Sequence, residues 1–105
     1  MDDEARRLKK QWLADQAAAA RAAFPLPDDQ LAALFRDVEA EFNREGCDHT
    51  RRLTEGWLAR RNIPAGPVLE WLDDHSGYCD CEVVANAGDH FESYRILPGI
   101  NGQPD

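Results

Sequence analysis

The chain has 105 residues, a hydrophobic fraction of 43% and a formal net charge of −8. This length suits one small domain, and the composition is that of a folded chain rather than a disordered one. Affinity for nucleic acid depends mainly on cations, so the excess of acids argues against direct binding of DNA or RNA. The sequence has neither an apolar run of membrane-spanning length nor the apolar core of a secretory signal. We therefore expect a cytoplasmic protein.

The first half of the chain predicts two helices. An alanine-rich helix is expected over about residues 3–23, with Leu8, Trp12 and Leu13 on one side, and the stretch FPLP ends it. Because alanine packs little, we expect this first segment, residues 1–24, to be partly solvated or to lean on a partner. A second helix is predicted to begin at Pro27 and to end at Gly46. Its core stripe has helical spacing and comprises Leu31, Leu34, Phe35, Val38 and Phe42.

The second half predicts two shorter helices and a β-hairpin. One helix follows Thr50, with Asp48 or Thr50 as its cap, and another covers about residues 66–75. The stretches YCDCEVVANA and HFESYRIL are typical of two strands joined by a turn at residues 86–89. The predicted fold is therefore a small α+β domain over residues 25–98, with three to four helices in the chain and a flexible tail at residues 99–105.

All three cysteines lie in two short stretches, GCDHT and GYCDCEVVAN. An odd number leaves one thiol unpaired in any disulfide scheme, and a Cys-x-Cys ring is strained. In an extended chain, residues i and i+2 project to the same face, so each stretch offers two ligands to one ion. The set Cys47, His49, Cys79 and Cys81 suits tetrahedral zinc, one ion per chain. We expect this Cys3His site to clamp the loop after the second helix to the first strand.

Other interpretations of these cysteines stay open. They also fit an apolar strand face without metal, a two-iron cluster or a copper(I) site. Four protein ligands close the zinc shell, which is the structural pattern, and no catalytic motif accompanies them. A carboxylate of Asp48 or Asp80 is expected to orient His49, and Arg51 and Arg52 are expected to lie near an anionic site.

The histidines outside the cysteine stretches indicate less. His75 is expected to cap the fourth predicted helix, and His90 is expected in solvent.

Three stretches together, FPLPDDQLAALF, GCDHTRRLTEGWL and VLEWLDDHSGYCDCEVVANA, resemble a bacterial family known as domain of unknown function 2695. The resemblance covers roughly residues 22–87, and the pair Cys-Asp-His-Thr and Cys-Asp-Cys-Glu-Val makes it specific. It implies a small cytosolic bacterial protein and brings no assigned activity. The chain departs from the family pattern at Pro27, where a Ser-type cap is usual, and at Ser76, where glycine is usual.

The sequence thus favours a zinc-stabilised module that contacts another protein or regulates one. The partner is an unknown protein or, through the first helix, a second copy of the chain. Metal handling or thiol redox sensing is the alternative, and a metalloenzyme comes third because it requires one of the four ligands to be wrong.

Overall fold

The computed structural model of the chain describes residues 2–95, and none of these lies in a β-strand. In chain order, the elements are α1 (Asp2–Ala22), α2 (Asp28–Glu45), α3 (Arg52–Arg60), α4 (Ala65–Asp74), α5 (Asp80–Glu82), a π-helical segment (Val83–Ala87) and α6 (Gly88–Tyr94). Two compact units result, of which one is Phe24–Ser93 and the other contains the described residues 2–23, 94 and 95. Among the described helices, none has both the length and the apolar composition needed to span a bilayer.

The four helices predicted before residue 76 are confirmed. In α2, four apolar residues are buried at helical spacing: Leu31, Leu34, Phe35 and Val38. Trp57 and Leu58 of α3 and Val68, Trp71 and Leu72 of α4 complete that side of the core. In α1, by contrast, the exposed fractions of Leu8, Trp12 and Leu13 are 64%, 57% and 49%. The apolar side of α1 is therefore open to solvent.

The prediction of an α+β domain with a C-terminal β-hairpin is wrong for the described residues. From Asp80 to Tyr94 the chain is helical throughout, because α5, the π-helical segment and α6 follow one another without a break. Val83, Ala87 and Phe91 lie four residues apart and are fully buried, so together they form a helical core stripe. This stripe crosses the predicted turn at residues 86–89. The predicted second strand also included residues 96 and 97, and these, like the predicted flexible tail at residues 99–105, lie outside the described residues.

Histidine and aromatic rings pack together at the junction of α4 and α6. The rings of His75 and His90 stack with their centroids 3.9 Å apart, and the Trp71 ring lies 4.9 Å from that of His75. Phe24 packs edge-on against Trp71 and His90. His75 does end α4, as predicted, but its side chain and that of His90 belong to this aromatic cluster.

Asp37, Trp57 and Arg61 join α2 to α3. The indole N–H of Trp57 donates to Asp37 over 2.9 Å, and Arg61 donates to the same carboxylate oxygen over 3.3 Å. The guanidinium of Arg61 also lies 3.9 Å from the centre of the Trp57 ring, at the distance of a cation–π contact. These contacts hold α3 against α2, and at its other end the amides of Leu53 and Thr54 donate to Asp80.

Candidate metal centre

The structure brings the three cysteine sulfurs together. Cys47 lies in the loop between α2 and α3, whereas Cys79 and Cys81 lie at the start of α5. Their sulfur atoms are all within 4.8 Å of one another, and those of Cys79 and Cys81 are 3.4 Å apart. Cys79 is buried, with 6% of its surface exposed, and Cys47 and Cys81 are half-buried. Among the described residues, this is the one group of three or more cysteine, histidine or acidic side chains placed to hold a metal ion.

The backbone on both sides explains this meeting. Gly46 ends α2 with φ 86°, a conformation that favours glycine, and its N–H donates to Phe42 over 2.7 Å. Cys79 is extended, with φ −143° and ψ 169°, and it precedes the first residue of α5. The change from extended to helical backbone at this point leaves the Cys79 and Cys81 sulfurs in contact, on one side of Asp80.

Asp80, between the two cysteines, caps α3 from a distance in sequence. Its carboxylate is fully buried and accepts hydrogen bonds from the backbone N–H groups of Leu53 and Thr54, each over 3.0 Å. The Thr54 hydroxyl donates to the same carboxylate over 2.8 Å, and the Asp80 N–H donates to the Thr50 carbonyl over 2.9 Å. The N-terminal amides of a helix favour a carboxylate, so Asp80 takes the position that a local cap usually holds. The sequence had instead suggested that the carboxylate of Asp48 or Asp80 orients the side chain of His49.

The loop from Asp48 to Arg52 closes on itself. The Asp48 carboxylate accepts the N–H of Thr50 over 3.1 Å and the hydroxyl of Thr50 over 2.6 Å. Arg52 donates its side-chain Nε–H to Asp48 over 3.2 Å, and its backbone N–H donates to the Thr50 hydroxyl over 3.2 Å. Thr50 therefore satisfies the first amide of α3, as its predicted capping role implied. Asp48 stabilises the turn.

Arg51 ties this loop to the end of α4. Its guanidinium donates to the Asp73 carboxylate over 2.9 Å and to the carbonyls of Leu69 and Gly77, each over 3.3 Å. Gly77 lies two residues before Cys79, so Arg51 helps to set where the Cys79–Cys81 segment begins. The sequence suggested that Arg51 lies beside the anionic metal site. Its hydrogen-bond partners are instead the Asp73 carboxylate and two backbone carbonyls.

His49, the fourth predicted ligand, is placed differently from the cysteines. It is exposed and has φ 68°, a left-handed conformation, and its imidazole is outside the group formed by the three sulfurs. Its backbone N–H, however, donates to the Cys47 sulfur. His49 thus borders the cluster through its backbone.

The pKa values of Cys47 and Cys81 shift in opposite directions. The backbone N–H groups of Cys81 and His49 donate to the Cys47 sulfur, and they hold the pKa of Cys47 below its usual range. The neighbouring side chains of Cys79 and Cys47 act in the opposite direction on Cys81 and raise its pKa to about 11. Negative charges this close repel one another, so three thiolates need a bound cation to coexist. A thiophilic metal ion is the cation that sulfur ligands prefer.

Similar proteins agree with the resemblance seen in the sequence. Residues 34–86 match the model of a family described as protein of unknown function (DUF2695). Uncharacterized protein Mb2294 of Mycobacterium bovis and Uncharacterized protein Rv2271 of Mycobacterium tuberculosis are each 34% identical to this chain over 86 residues. Each of these alignments covers 80% of this chain and 87% of the relative. No solved structure gives a significant match. The chain therefore belongs to the DUF2695 family.

Proposed function

We propose that this domain binds one zinc ion through Cys47, Cys79, Cys81 and His49, and that the ion stabilises the fold. The observation that carries the proposal is the meeting of three sulfurs from two distant parts of the chain. Sulfurs bound to one zinc at about 2.3 Å in a tetrahedron lie about 3.8 Å apart. The observed spacing is compatible with that value, because the sulfurs of Cys79 and Cys81 are 3.4 Å apart and no pair of the three exceeds 4.8 Å.

His49 supplies the fourth ligand in this proposal. Support comes from its backbone N–H, which already contacts the Cys47 sulfur, and from its exposed side chain, which is free of the core. Four protein ligands close the coordination shell, which suits a structural role rather than a catalytic one. The cytoplasm is the compartment that fits reduced thiols, and we propose it as the location.

Metal content and thermal stability test this function together. Untagged protein is expected to carry one equivalent of zinc by elemental mass spectrometry, and chelation is expected to lower the melting temperature, because metal-binding energy is also folding energy. Cys81→Ser should remove most of the zinc, and His49→Ala should weaken zinc binding without abolishing it. His75→Ala serves as the control, since His75 lies in the aromatic cluster and should leave the zinc content unchanged. The proposal would be excluded if the purified protein contained no metal and its melting temperature did not change on addition of a chelator.

Metal transfer is a second candidate, because Cys47 and Cys81 are only half-buried. A site that transfers its metal to another molecule must release the metal faster than the protein unfolds. Zinc release to a chromogenic chelator is therefore compared with the unfolding rate under the same conditions. Release at the unfolding rate supports the structural role, and release that is much faster and depends on chelator concentration supports transfer.

A protein contact through α1 is the remaining part of the proposal, and the partner we propose is a second copy of the chain. Leu8 and Trp12 lie one helical turn apart and are mostly exposed. In a parallel pair of α1 helices, each of these residues meets its own counterpart. Glu4 of each helix then lies beside Lys9 of the other, which gives two pairs of opposite charge.

Sedimentation equilibrium of the full chain tests this pairing. Trp12→Ala should weaken the dimer. Asp15 follows on the same face, where it meets its own counterpart, so Asp15→Leu should tighten association by about tenfold, or ~1.4 kcal/mol. Lys10→Leu, on the opposite face, is the matched control and should change nothing. A chain that stays monomeric at all concentrations, or that responds equally to both leucine substitutions, would contradict the pairing.

A further inference from the structure

We infer that a hydroperoxide oxidises Cys47 and Cys81 to a disulfide and thereby, resting on the zinc site proposed above, expels the metal. This adds a modification site, and with it a form of regulation, to the cysteine cluster. The choice of these two cysteines among the three follows from exposure and from what the backbone around each cysteine holds.

Exposure favours Cys47 and Cys81. Both are half-buried, whereas Cys79 keeps only 6% of its surface exposed, so an oxidant in solution reaches the first two. All three sulfurs lie within 4.8 Å of one another, and a disulfide bond is about 2.05 Å long. Bond formation therefore needs an approach of about 3 Å at most.

The pair Cys79 and Cys81, whose sulfurs are 3.4 Å apart, is the less favourable one. A ring closed across a single residue is strained, and here that residue is Asp80, which holds the N-terminus of α3. The carbonyl of Cys79 also accepts the N–H of Val83 over 2.8 Å, so its backbone is part of the hydrogen bonding that begins α5. Closing this ring would disturb these bonds.

Cys47, in contrast, lies in a loop that can yield. Residues 46–48 have no regular structure, and an added Cβ at Gly46 would find nothing within 4 Å, so the backbone beside Cys47 is not packed at that residue. A small movement of this loop brings the Cys47 sulfur to Cys81 and leaves the α3 cap in place.

The reaction balances with hydrogen peroxide as the oxidant. One thiolate attacks a peroxide oxygen, the O–O bond breaks, and the departing hydroxide takes a proton to become water. The second thiolate attacks the resulting sulfenic sulfur, the S–S bond forms, and a second hydroxide leaves and is protonated. The two sulfurs lose two electrons and the peroxide gains them. The product is the same whether the sulfur of Cys47 or that of Cys81 attacks first.

Loss of zinc follows from the count of ligands. A disulfide sulfur carries no negative charge and is a poor ligand, so the oxidation removes two of the four proposed ligands at once. The two that remain, Cys79 and His49, form an incomplete shell. Reduction of the disulfide restores the thiols and the site, which makes the change reversible.

Peptide mapping identifies the disulfide directly. Zinc-loaded and zinc-free samples of the wild-type chain are treated with hydrogen peroxide, blocked with an alkylating agent and digested with trypsin without reductant. Trypsin separates residues 45–51, which hold Cys47, from residues 62–95, which hold Cys79 and Cys81. We expect these two peptides to be cross-linked, with Cys79 alkylated, and we expect one equivalent of zinc to be released as the cross-link forms. Cys79→Ser should keep the cross-link, and Cys81→Ser should abolish it.

Several results would overturn the inference. One is a main disulfide between Cys79 and Cys81, within the peptide of residues 62–95. The others are oxidation to sulfinic acid without any disulfide, and a cross-link that forms while zinc stays bound. The zinc content before peroxide addition tests the proposed function separately, because mapping of the zinc-free chain still reports whether Cys47 and Cys81 join.

Discussion

Replacing Asp80 by alanine should destabilise the domain more than any change to an exposed acid. The substitution leaves three donors without their acceptor, namely the N–H groups of Leu53 and Thr54 at 3.0 Å and the Thr54 hydroxyl at 2.8 Å. Each buried donor left unpaired costs about 1–3 kcal/mol, and because the hydroxyl can turn and water can enter, we take the lower part of that range. The sum is a loss of about 4 kcal/mol in the free energy of unfolding.

Urea unfolding followed by circular dichroism, with a thermal melt in parallel, measures this loss. A change of 1 kcal/mol moves the melting temperature of a domain this size by about 4–8 °C, so Asp80→Ala should lower it by about 15–30 °C. Both chains are measured with and without chelator, because Asp80 lies between two proposed ligands. The part of the loss that persists in chelator belongs to the cap, since no metal contributes there.

Asp74→Ala is the matched control. Asp74 is exposed and ends α4, where a negative charge opposes the helix dipole, so its removal should change stability by no more than about 0.5 kcal/mol. A loss below about 1 kcal/mol for Asp80→Ala in chelator would refute the capping argument, since even one N-cap of this kind contributes that much.

Three further predictions concern Asp37, the histidine stack and Ser76. The hydrogen bond from Trp57 lowers the pKa of Asp37 in the folded chain. The stability that this carboxylate contributes is therefore present above its unfolded-chain pKa of about 3.9 and is lost as the pH falls through the lower folded pKa. Thermal melts between pH 2.5 and 5 should show a weaker pH dependence for Asp37→Asn than for the wild-type chain. Burial, and then the charge of His75, lower the pKa of His90, so His75→Ala should raise the His90 pKa in an NMR titration. Ser76 has φ 60°, so Ser76→Gly should raise stability by about 0.5–1 kcal/mol in urea unfolding.

Each of these has a contrary outcome. An unchanged acid slope in Asp37→Asn would mean that the Trp57 bond does not favour the charged carboxylate. A His90 pKa that stays put or falls in His75→Ala would remove the proposed charge interaction. A destabilised Ser76→Gly would show that the serine side chain makes contacts that outweigh its backbone strain.

The sequence was sufficient where burial follows a simple period. In α2, apolar residues recur every three or four positions, and no other structure buries all of them. At residues 79–91, two signals conflict: Cys79, Cys81 and Val83 alternate as in a strand, whereas Val83, Ala87 and Phe91 recur as in a buried helix. Local β-propensity and an apparent turn favoured the hairpin, but packing of the helical stripe against α2 prevails.

The candidate site was predictable in part, for chemical reasons. Cysteines as sparse as Cys47, Cys79 and Cys81 suggest a shared site before any fold is known, and the three sulfurs do meet. The role of Asp80 could not be inferred, because its partners Leu53 and Thr54 lie 27 and 26 residues away, and capping rules work within a single turn. Whether His49 binds the same metal ion as the three sulfurs stays a prediction, because the orientation of an exposed side chain on a turn is set by a bound metal and not by packing in the core.

The long-range cap on α3 has a consequence for how the chain acquires its structure. Helices α2, α3 and α4 precede Asp80, so a chain still being synthesised, or a fragment ending before Cys79, lacks the acceptor for the first buried amides of α3. Such a fragment keeps its apolar stripes but is missing both the carboxylate and two of the three sulfurs. The segment Cys79–Cys81 thus supplies both the α3 cap and two sulfurs, and the domain should fold as one cooperative unit rather than as a helical subdomain to which this segment is added later.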